Sequence, residues 1–290
     1  MKKIIILIPV FNDWESLIKL LREIDEIIKG IKNISFHCLV VNDASTITQP
    51  DLQKPKNISS LKILNMKKNK GHARCNAFGI RFITEKEKFD YIILMDGDGE
   101  DRPVEIKSLI DKIKQEPKKS VVAKRIKRSE GPFFQMLYKI HKLVTLLFTG
   151  KNINFGNYSC ITKNDANILS TKASLWSSYS GSVKKNIVYL NEVNSQRGIR
   201  YFGPSQMSFF KLLVHSFSII AVFKYFVLFR SIIFILFFFL LKSSLGKISF
   251  LFIFLIFLFN FLIFMTSLRE SETELSKSQL NLKNITEITH

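Results

Sequence analysis

Cysteine is scarce in this chain: Cys38, Cys75 and Cys160 are the only thiols, and no C-x-x-C occurs among them. That spacing indicates neither a disulfide framework nor a zinc site and suits reduced, partly buried thiols of a cytosolic compartment. Carboxylates are under-represented too, with 24 Asp and Glu against 43 Lys and Arg and a formal net charge of +19. Such an excess suits an anionic partner: nucleic acid, an acidic membrane surface or a phosphorylated substrate. A cleavable leader is not indicated. Met1-Lys2-Lys3 precedes an apolar run of only seven residues, IIILIPV, with no small-residue cleavage site after it, so the run reads as a first buried strand.

What the chain does have is order along its length. The 290 residues allow one large or two small domains. Up to about residue 205, strand-like runs (4–10, 36–41, 61–64, 91–95, 121–123) alternate with helix-like ones (14–29, 72–83, 104–115). The first of those helices carries Leu17, Leu20, Leu21, Ile24 and Ile28 on one face. Strands separated by helices imply right-handed crossovers and a parallel sheet. From 124 to 203 the pattern is less regular, with helical spacing over 133–148, a strand over 153–161 and a short helix over 163–169.

Residues 91–101, YIILMDGDGED, run from a buried-strand pattern straight into Asp96, Asp98, Glu100 and Asp101, with Gly97 and Gly99 between. In an open α/β sheet, ligands bind outside the carboxyl ends of the strands. Carboxylates this close repel one another unless a cation sits among them, and a hard ion such as Mg²⁺ or Mn²⁺ carrying a diphosphate would supply it. A solvated acidic turn is the plainer alternative. Asn69-Lys70-Gly71-His72-Ala73-Arg74 combines a glycine, a helix start and positive charge, which suits an anion or an ordinary turn. Asp43 ends its strand nearby and could accept hydrogen bonds from a base or ribose, or simply hold a turn.

The basic run 124–128 resembles a nucleic-acid or membrane-surface patch, but its place after the fifth strand also suits a loop closing over phosphates, where Arg binds oxygens in a bidentate way. It lacks the interleaved aromatics of single-strand binding. Arg197 and Arg200, flanking Gly198, suit an anionic substrate or lipid headgroups equally.

Composition then changes. Many of the 27 phenylalanines fall in the last third, where residues 225–241 contain one charge, Arg230, and residues 248–265 contain none. Each run is close to the roughly 17–25 apolar residues a bilayer core needs. The short link 242–247 allows only a tight hairpin. Arg230 near the entry of the first run could snorkel to headgroups. Residues 205–224 look like an interfacial amphipathic helix, and the polar stretch 266–290 reads as a flexible tail. Lys211, Lys224 and Arg230 before the first span place the preceding domain on the cytoplasmic face, whereas Lys242 and Lys247 in the hairpin weaken that bias.

Five segments in this order, IPVFND at 8–13, VNDAS at 41–45, NKGHARCNAFGI at 69–80, MDGDGEDRP at 95–103 and AKRIKRSEG at 123–131, resemble family 2 nucleotide-sugar glycosyltransferases of the GT-A fold. With the C-terminal spans, the chain resembles the membrane-anchored polyprenyl-phosphate branch, dolichol-phosphate mannose synthase-like. The resemblance implies an α/β, Rossmann-like, mostly parallel sheet with flanking helices over 1–204, an interfacial helix over 205–224 and a two-helix transmembrane hairpin within 225–265. It implies a metal-dependent hexosyltransferase of cell-envelope glycan synthesis, in a bacterial-type inner membrane. Its donor site would take in Pro9, Phe11, Asp13, Asp43, Lys70, Gly71, Arg74, Asp96 and Gly97. Asp96, Asp98 and Glu100 would hold the Mg²⁺ or Mn²⁺, and Arg125 and Arg128 would join Asp98 and Glu100 in the reaction.

The expected partners are a nucleotide-sugar donor, a polyprenyl phosphate or glycan acceptor and the lipid bilayer, not nucleic acid; a homo-oligomer is left open. A basic membrane-tethered binding protein is the non-enzyme alternative, opposed by the acidic cluster, which would repel nucleic-acid phosphates. Two departures stand out. Asn42-Asp43 leaves one carboxylate where the family has two, and Gly156-Asn157-Tyr158-Ser159 replaces the Asp-Phe-Arg segment of the lipid-phosphate enzymes. A hydroxyl acceptor would need a general base, with Asp101 or Glu130 as candidates; a phosphate acceptor needs none.

Overall fold

The computed structural model describes residues 1–127, 132–204 and 208–289. Four parallel strands form its centre: β1 (Lys2–Val10), β2 (Ile34–Asn42), β3 (Ser60–Met66) and β4 (Tyr91–Leu94). Their Ile- and Val-rich runs suit strands covered on both faces. The pleat of β1 divides its side chains between two cores, Ile5 and Leu7 in one and Ile4, Ile6 and Ile8 in the other. Helices α1 (Trp14–Ile28) and α3 (Ile106–Gln115) cover the second core and α2 (His72–Lys86) the first. The expected apolar face of α1 is buried at Leu17, Leu20, Leu21, Ile24 and Ile28.

Beyond β4 the alternation ceases to be parallel. The chain continues through β5 (Ser120–Lys127), α4 (Pro132–Thr149), β6 (Phe155–Thr162), α5 (Lys163–Ser170), α6 (Ala173–Ser177), α7 (Tyr179–Asn186) and β7 (Leu190–Gln196). β6 lies between β4 and β5, antiparallel to both, and β7 runs parallel to β5 at the edge. The result is the mostly parallel sheet with flanking helices expected of a GT-A domain.

The C-terminal part is a series of apolar helices, α8 (Phe209–Ala221), α9 (Lys224–Leu240), the short α10 (Lys242–Leu245) and α11 (Lys247–Ser267). The helix beginning at Lys247 is long and apolar enough to cross a membrane; α8 and α9 qualify only as a pair, bent by 87° at their junction. Phe250, Phe254, Phe257 and Phe261 of α11 are exposed, and Asn260 of α11 donates to Ser231 Oγ of α9 at 2.8 Å. Arg230 does not stand free for headgroups. Its Nη1 donates to the Leu147 carbonyl at 2.9 Å and so caps the last turn of α4, where cations are favoured.

The expectation of a flexible tail is corrected. After α12 (Glu272–Ser276), the chain forms β8 (Leu282–Ile288), which pairs antiparallel with β3 from Met66↔Leu282 to Leu61↔Ile288. The polar composition that suggested a solvated tail serves an edge strand instead: Asn65 donates to Asn284 at 2.9 Å and Thr286 at 3.1 Å. The sheet order is therefore β7-β5-β6-β4-β1-β2-β3-β8.

Candidate active site

The carboxyl ends of β1, β2 and β4 open on one edge of the sheet because the strands are parallel. Each end carries a carboxylate: Asp13 after β1, Asp43 after β2 and Asp96 after β4. Two non-glycine residues with left-handed backbone flank the first two, Asn12 at φ 54° and Ala44 at φ 57°. Asn12 holds that conformation by bonding across to the other loop. Its Oδ1 accepts from the amides of Thr46 at 2.8 Å and Ile47 at 3.0 Å. Gly97 lies against β1, where an added Cβ would meet the Pro9 carbonyl at 3.0 Å. Phe11, in the same turn, is exposed.

Asp43 is 3% exposed, and its two oxygens accept from the amides of Lys70 at 2.7 Å and Gly71 at 2.8 Å. Burial pushes its carboxyl up, and those two amides work against the shift. Gly71, at φ 89°, turns the chain into α2 in a conformation that favours glycine. Arg74 returns Nη1 to the Lys70 carbonyl at 3.2 Å and stacks over Trp176 at 5.6 Å. The geometry therefore makes Asp43 the residue that holds the basic loop in place.

The acidic cluster is divided among different cations. Asp96 accepts from His72 Nε2 at 2.9 Å and Asn157 Nδ2 at 3.2 Å. Burial opposes its ionisation, but His72, Arg125 and Arg197 outweigh it and hold the carboxyl well below the usual range. Asp98 bonds Arg200 Nη1 at 2.8 Å, and Arg200 Nη2 reaches Asp13. Burial, then the charges of Asp96 and Glu100, push the Asp98 carboxyl up. Glu100 pairs with Arg197. Asp101 is 4% exposed and accepts the Asp96 amide at 2.9 Å, with Arg125 at 4.0 Å; burial and Asp96 push it up. It closes the turn, as a residue capping its own loop does.

The strand-end turn is held from outside by residues 197–202. The Gly198 amide donates to the Glu100 carbonyl at 2.8 Å and the Tyr201 amide to the Asp98 carbonyl at 2.9 Å. Gly99, at φ 87°, faces the Tyr201 ring. Arg125 lies against Gly156, which leaves room for its guanidinium. Arg128 and Glu130, also expected here, lie outside the described residues.

Structure thus brings Asp13, Asp96, Asp98, Glu100 and Arg125 together, with Asp43, Lys70, Gly71 and Arg74 forming the adjoining loop. His72, Asn157, Arg197 and Arg200 had no assigned part, or an undecided one. The His72 signal was its place at the start of α2, facing β4. The Asn157 signal is the antiparallel register: Leu94 pairs with Ser159, so Asn157 falls opposite Asp96.

All the acidic donors are hard oxygens, the ligand chemistry of Mg²⁺ or Mn²⁺ rather than of a soft metal. Among the described residues, no three His, Cys, Asp or Glu side chains already stand together as a ligand set; guanidinium groups of Arg197 and Arg200 supply the positive charge at Glu100 and Asp98. The donor types fit a divalent cation, which at Glu100 and Asp98 would compete with Arg197 and Arg200.

Comparison with known proteins bears on the whole arrangement. An uncharacterized protein of Methanocaldococcus jannaschii is 27% identical over 114 residues, covering 38% of this chain and 46% of that relative. The chain thus matches less than half the length of that curated relative. Among solved structures, glucosyl-3-phosphoglycerate synthase from Mycobacterium tuberculosis, in complex with Mn²⁺, UDP and glucosyl-3-phosphoglycerate, superposes with a TM-score of 0.52 at 11% identity, over 78% of this chain and 80% of its own. Mannosyl-3-phosphoglycerate synthase from Rubrobacter xylanophilus gives 0.54 at 11% identity, over 76% and 72%. These likenesses show the GT-A fold. The pattern described as glycosyl transferase family 2 matches residues 5–177, from β1 to the end of α6. Over more than half its length, this chain belongs to glycosyl transferase family 2.

Proposed function

We propose that the protein is a membrane-anchored inverting glycosyltransferase that moves a sugar from a nucleotide-sugar donor to a polyprenyl phosphate at the membrane surface. The observation that carries this reading is the meeting of Asp13, Asp98, Glu100 and Asp101 with Arg200, Arg197 and Arg125, beside the Asp96–His72 pair, at the carboxyl ends of β1 and β4. A divalent metal bound at Asp98 and Glu100, with Asp96 beside them, would neutralise the diphosphate of the donor as it leaves. Lys70, Gly71 and Arg74 bind the nucleotide side, on the loop that Asp43 holds. Arg125 and, by its neighbourhood in the sequence, Arg128 bind phosphate oxygens of donor or acceptor.

An anionic acceptor asks for no general base. Asp101, the described candidate, has one oxygen on the Asp96 amide and is buried, so it is poorly placed to take a proton from a hydroxyl. A phosphate already carries the charge needed for attack.

Membrane anchoring is supported by the exposed phenylalanines of α11 and by the path of the chain. β8 returns to the sheet that β1–β4 began, so the segment between β7 and β8 must cross a bilayer an even number of times or not at all. A single crossing through α11 would part β8 from β3; a hairpin of α11 with α9, which reaches span length only together with α8, keeps the catalytic domain and β8 on the same side. Lys211 before α9 and Lys224 at its start favour the cytoplasmic side, against Lys242 and Lys247 in the link to α11.

The test is incubation of the detergent-solubilised protein with Mn²⁺, a panel of nucleotide sugars and polyprenyl phosphate, followed by mass spectrometry of extracted lipids. A glycosylated lipid phosphate, lost in Asp98→Ala, is the expected result. Nucleoside diphosphate released without a lipid product would redirect the acceptor to a lipid-linked glycan, and full turnover by Asp98→Ala would sink the metal-centred site.

A further inference from the structure

The basic loop that follows β3 is held from two sides. Asp43 grips the amides of Lys70 and Gly71 from within the sheet. From outside, the chain just before β8 grips the preceding residues. The Lys67 amide donates to the Asn281 carbonyl at 2.7 Å, and Lys67 Nζ reaches the Leu280 carbonyl at 2.9 Å. The Asn281 side chain then brackets Lys68, accepting from its amide at 3.1 Å and donating to its carbonyl at 2.9 Å. Glu274 lies 3.7 Å from Lys70 Nζ.

These contacts go beyond what covering a sheet edge requires. Edge protection needs only the backbone ladder between β3 and β8. Asn281 instead satisfies both backbone groups of a loop residue past the end of β3. The segment is itself anchored: Leu275 is 1% exposed and joins the core cluster of Cys75 and Phe78 from α2. Gln279 bonds Glu85 at the far end of α2. A line of amides, Asn42 to Asn65 at 2.8 Å and Asn65 to Asn284 at 2.9 Å, ties the end of β2 beside Asp43 to β8.

We propose that the C-terminal segment 272–288 is a positioning element of the donor site, holding the Lys67–Gly71 loop in the conformation that receives the nucleotide. This rests on the reading of that loop as nucleotide-binding. A loop ordered beforehand loses less conformational freedom when the donor binds, so the segment acts on donor affinity rather than on the chemical step. Because it follows α11 directly, it also joins the apolar helices to the donor loop.

The test uses the full chain in detergent, comparing wild type with Asn281→Ala and Glu274→Gln. Hydrogen exchange of the Lys68, Lys70 and Gly71 amides is read without ligand, alongside donor KM and kcat for the nucleotide sugar that turns over best. Asn281→Ala should speed exchange at these amides and raise donor KM by about tenfold, with kcat within about twofold. Glu274→Gln, an exposed pair, should have a smaller effect in the same direction. Unchanged exchange and KM, with only a lower melting temperature, would overturn the proposal and leave β8 as an edge cover. If the wild type turned over no nucleotide sugar, the functional reading would fall separately, and the exchange rates alone would decide whether Asn281 holds the loop.

Discussion

Arg200 spans Asp98 and Asp13, one guanidinium nitrogen on each carboxylate, and thereby joins the turn after β4 to the turn after β1. The two acids come from different strands and the arginine from a third segment about a hundred residues on. A guanidinium in this place does what a cation does: it allows carboxylates to approach that would otherwise repel.

Arg200→Gln should therefore leave Asp98 and Asp13 short of positive charge and make the nucleotide-free protein bind Mn²⁺ more tightly, by roughly tenfold if about 1.4 kcal/mol of competition is removed. Titration followed by Mn²⁺ electron paramagnetic resonance reads this directly. Equal affinities would mean that Arg200 and the metal use different oxygens.

Gly156→Ala places a methyl 2.6 Å from the present position of Arg125 Nη2. The obstacle is the far end of a flexible side chain, so stability should change by less than about 1 kcal/mol while Arg125 is displaced. If Arg125 binds phosphate during the reaction, turnover should drop by roughly tenfold or more, since small misplacements of binding groups are costly to rate. Normal turnover with a displaced Arg125 would remove that residue from the site.

Gly99→Ala combines two penalties, a backbone at φ 87° and a Cβ 2.5 Å from the Tyr201 ring. The strained backbone alone costs about 1–3 kcal/mol. Thermal unfolding should show a lower melting temperature than in Gly97→Ala, where φ is unremarkable and the nearest atom is at 3.0 Å.

His37 on β2 bonds Ser60 through Nδ1 at 2.7 Å, and burial, reinforced by the charge of Lys3, lowers its pKa to about 4. The unfolded chain takes up the proton near the ordinary value of about 6.5, before the folded protein does. Stability from the neutral His37 is therefore fully present above that value and lost as pH falls from about 6.5 toward 4. His37→Gln should flatten the melting temperature between pH 7 and pH 5; an unaltered slope would assign the loss to other groups.

The first half of the fold was legible because its signals are local. Ile4–Val10 and Tyr91–Leu94 are apolar runs that end in polar turns, and parallel neighbours follow from the helices between them. Asp96 and Asp98 could be picked out for the same reason. β6 could not be placed, since nothing in residues 155–162 states that they run antiparallel between β4 and β5; that register alone brings Asn157 to Asp96. Arg197 and Arg200 carried charge but no address, because their partners lie far away in sequence. β8 was misread for a third reason. Leu282, Ile285 and Ile288 recur every third residue, without the alternation of a half-buried strand, and its amide pairings have meaning only once Asn65 is beside them.

The pairing of β8 with β3 also sets a timetable. Asn65 and Asn284 are 219 residues apart, a distance that a ribosome making about 5–20 residues per second needs roughly 10–45 s to cover. Throughout that interval β3 is the open border of a nascent sheet, and its last neighbour arrives only after every apolar helix has been synthesised. The β3 edge of the catalytic domain is thus covered only once the apolar helices have been made.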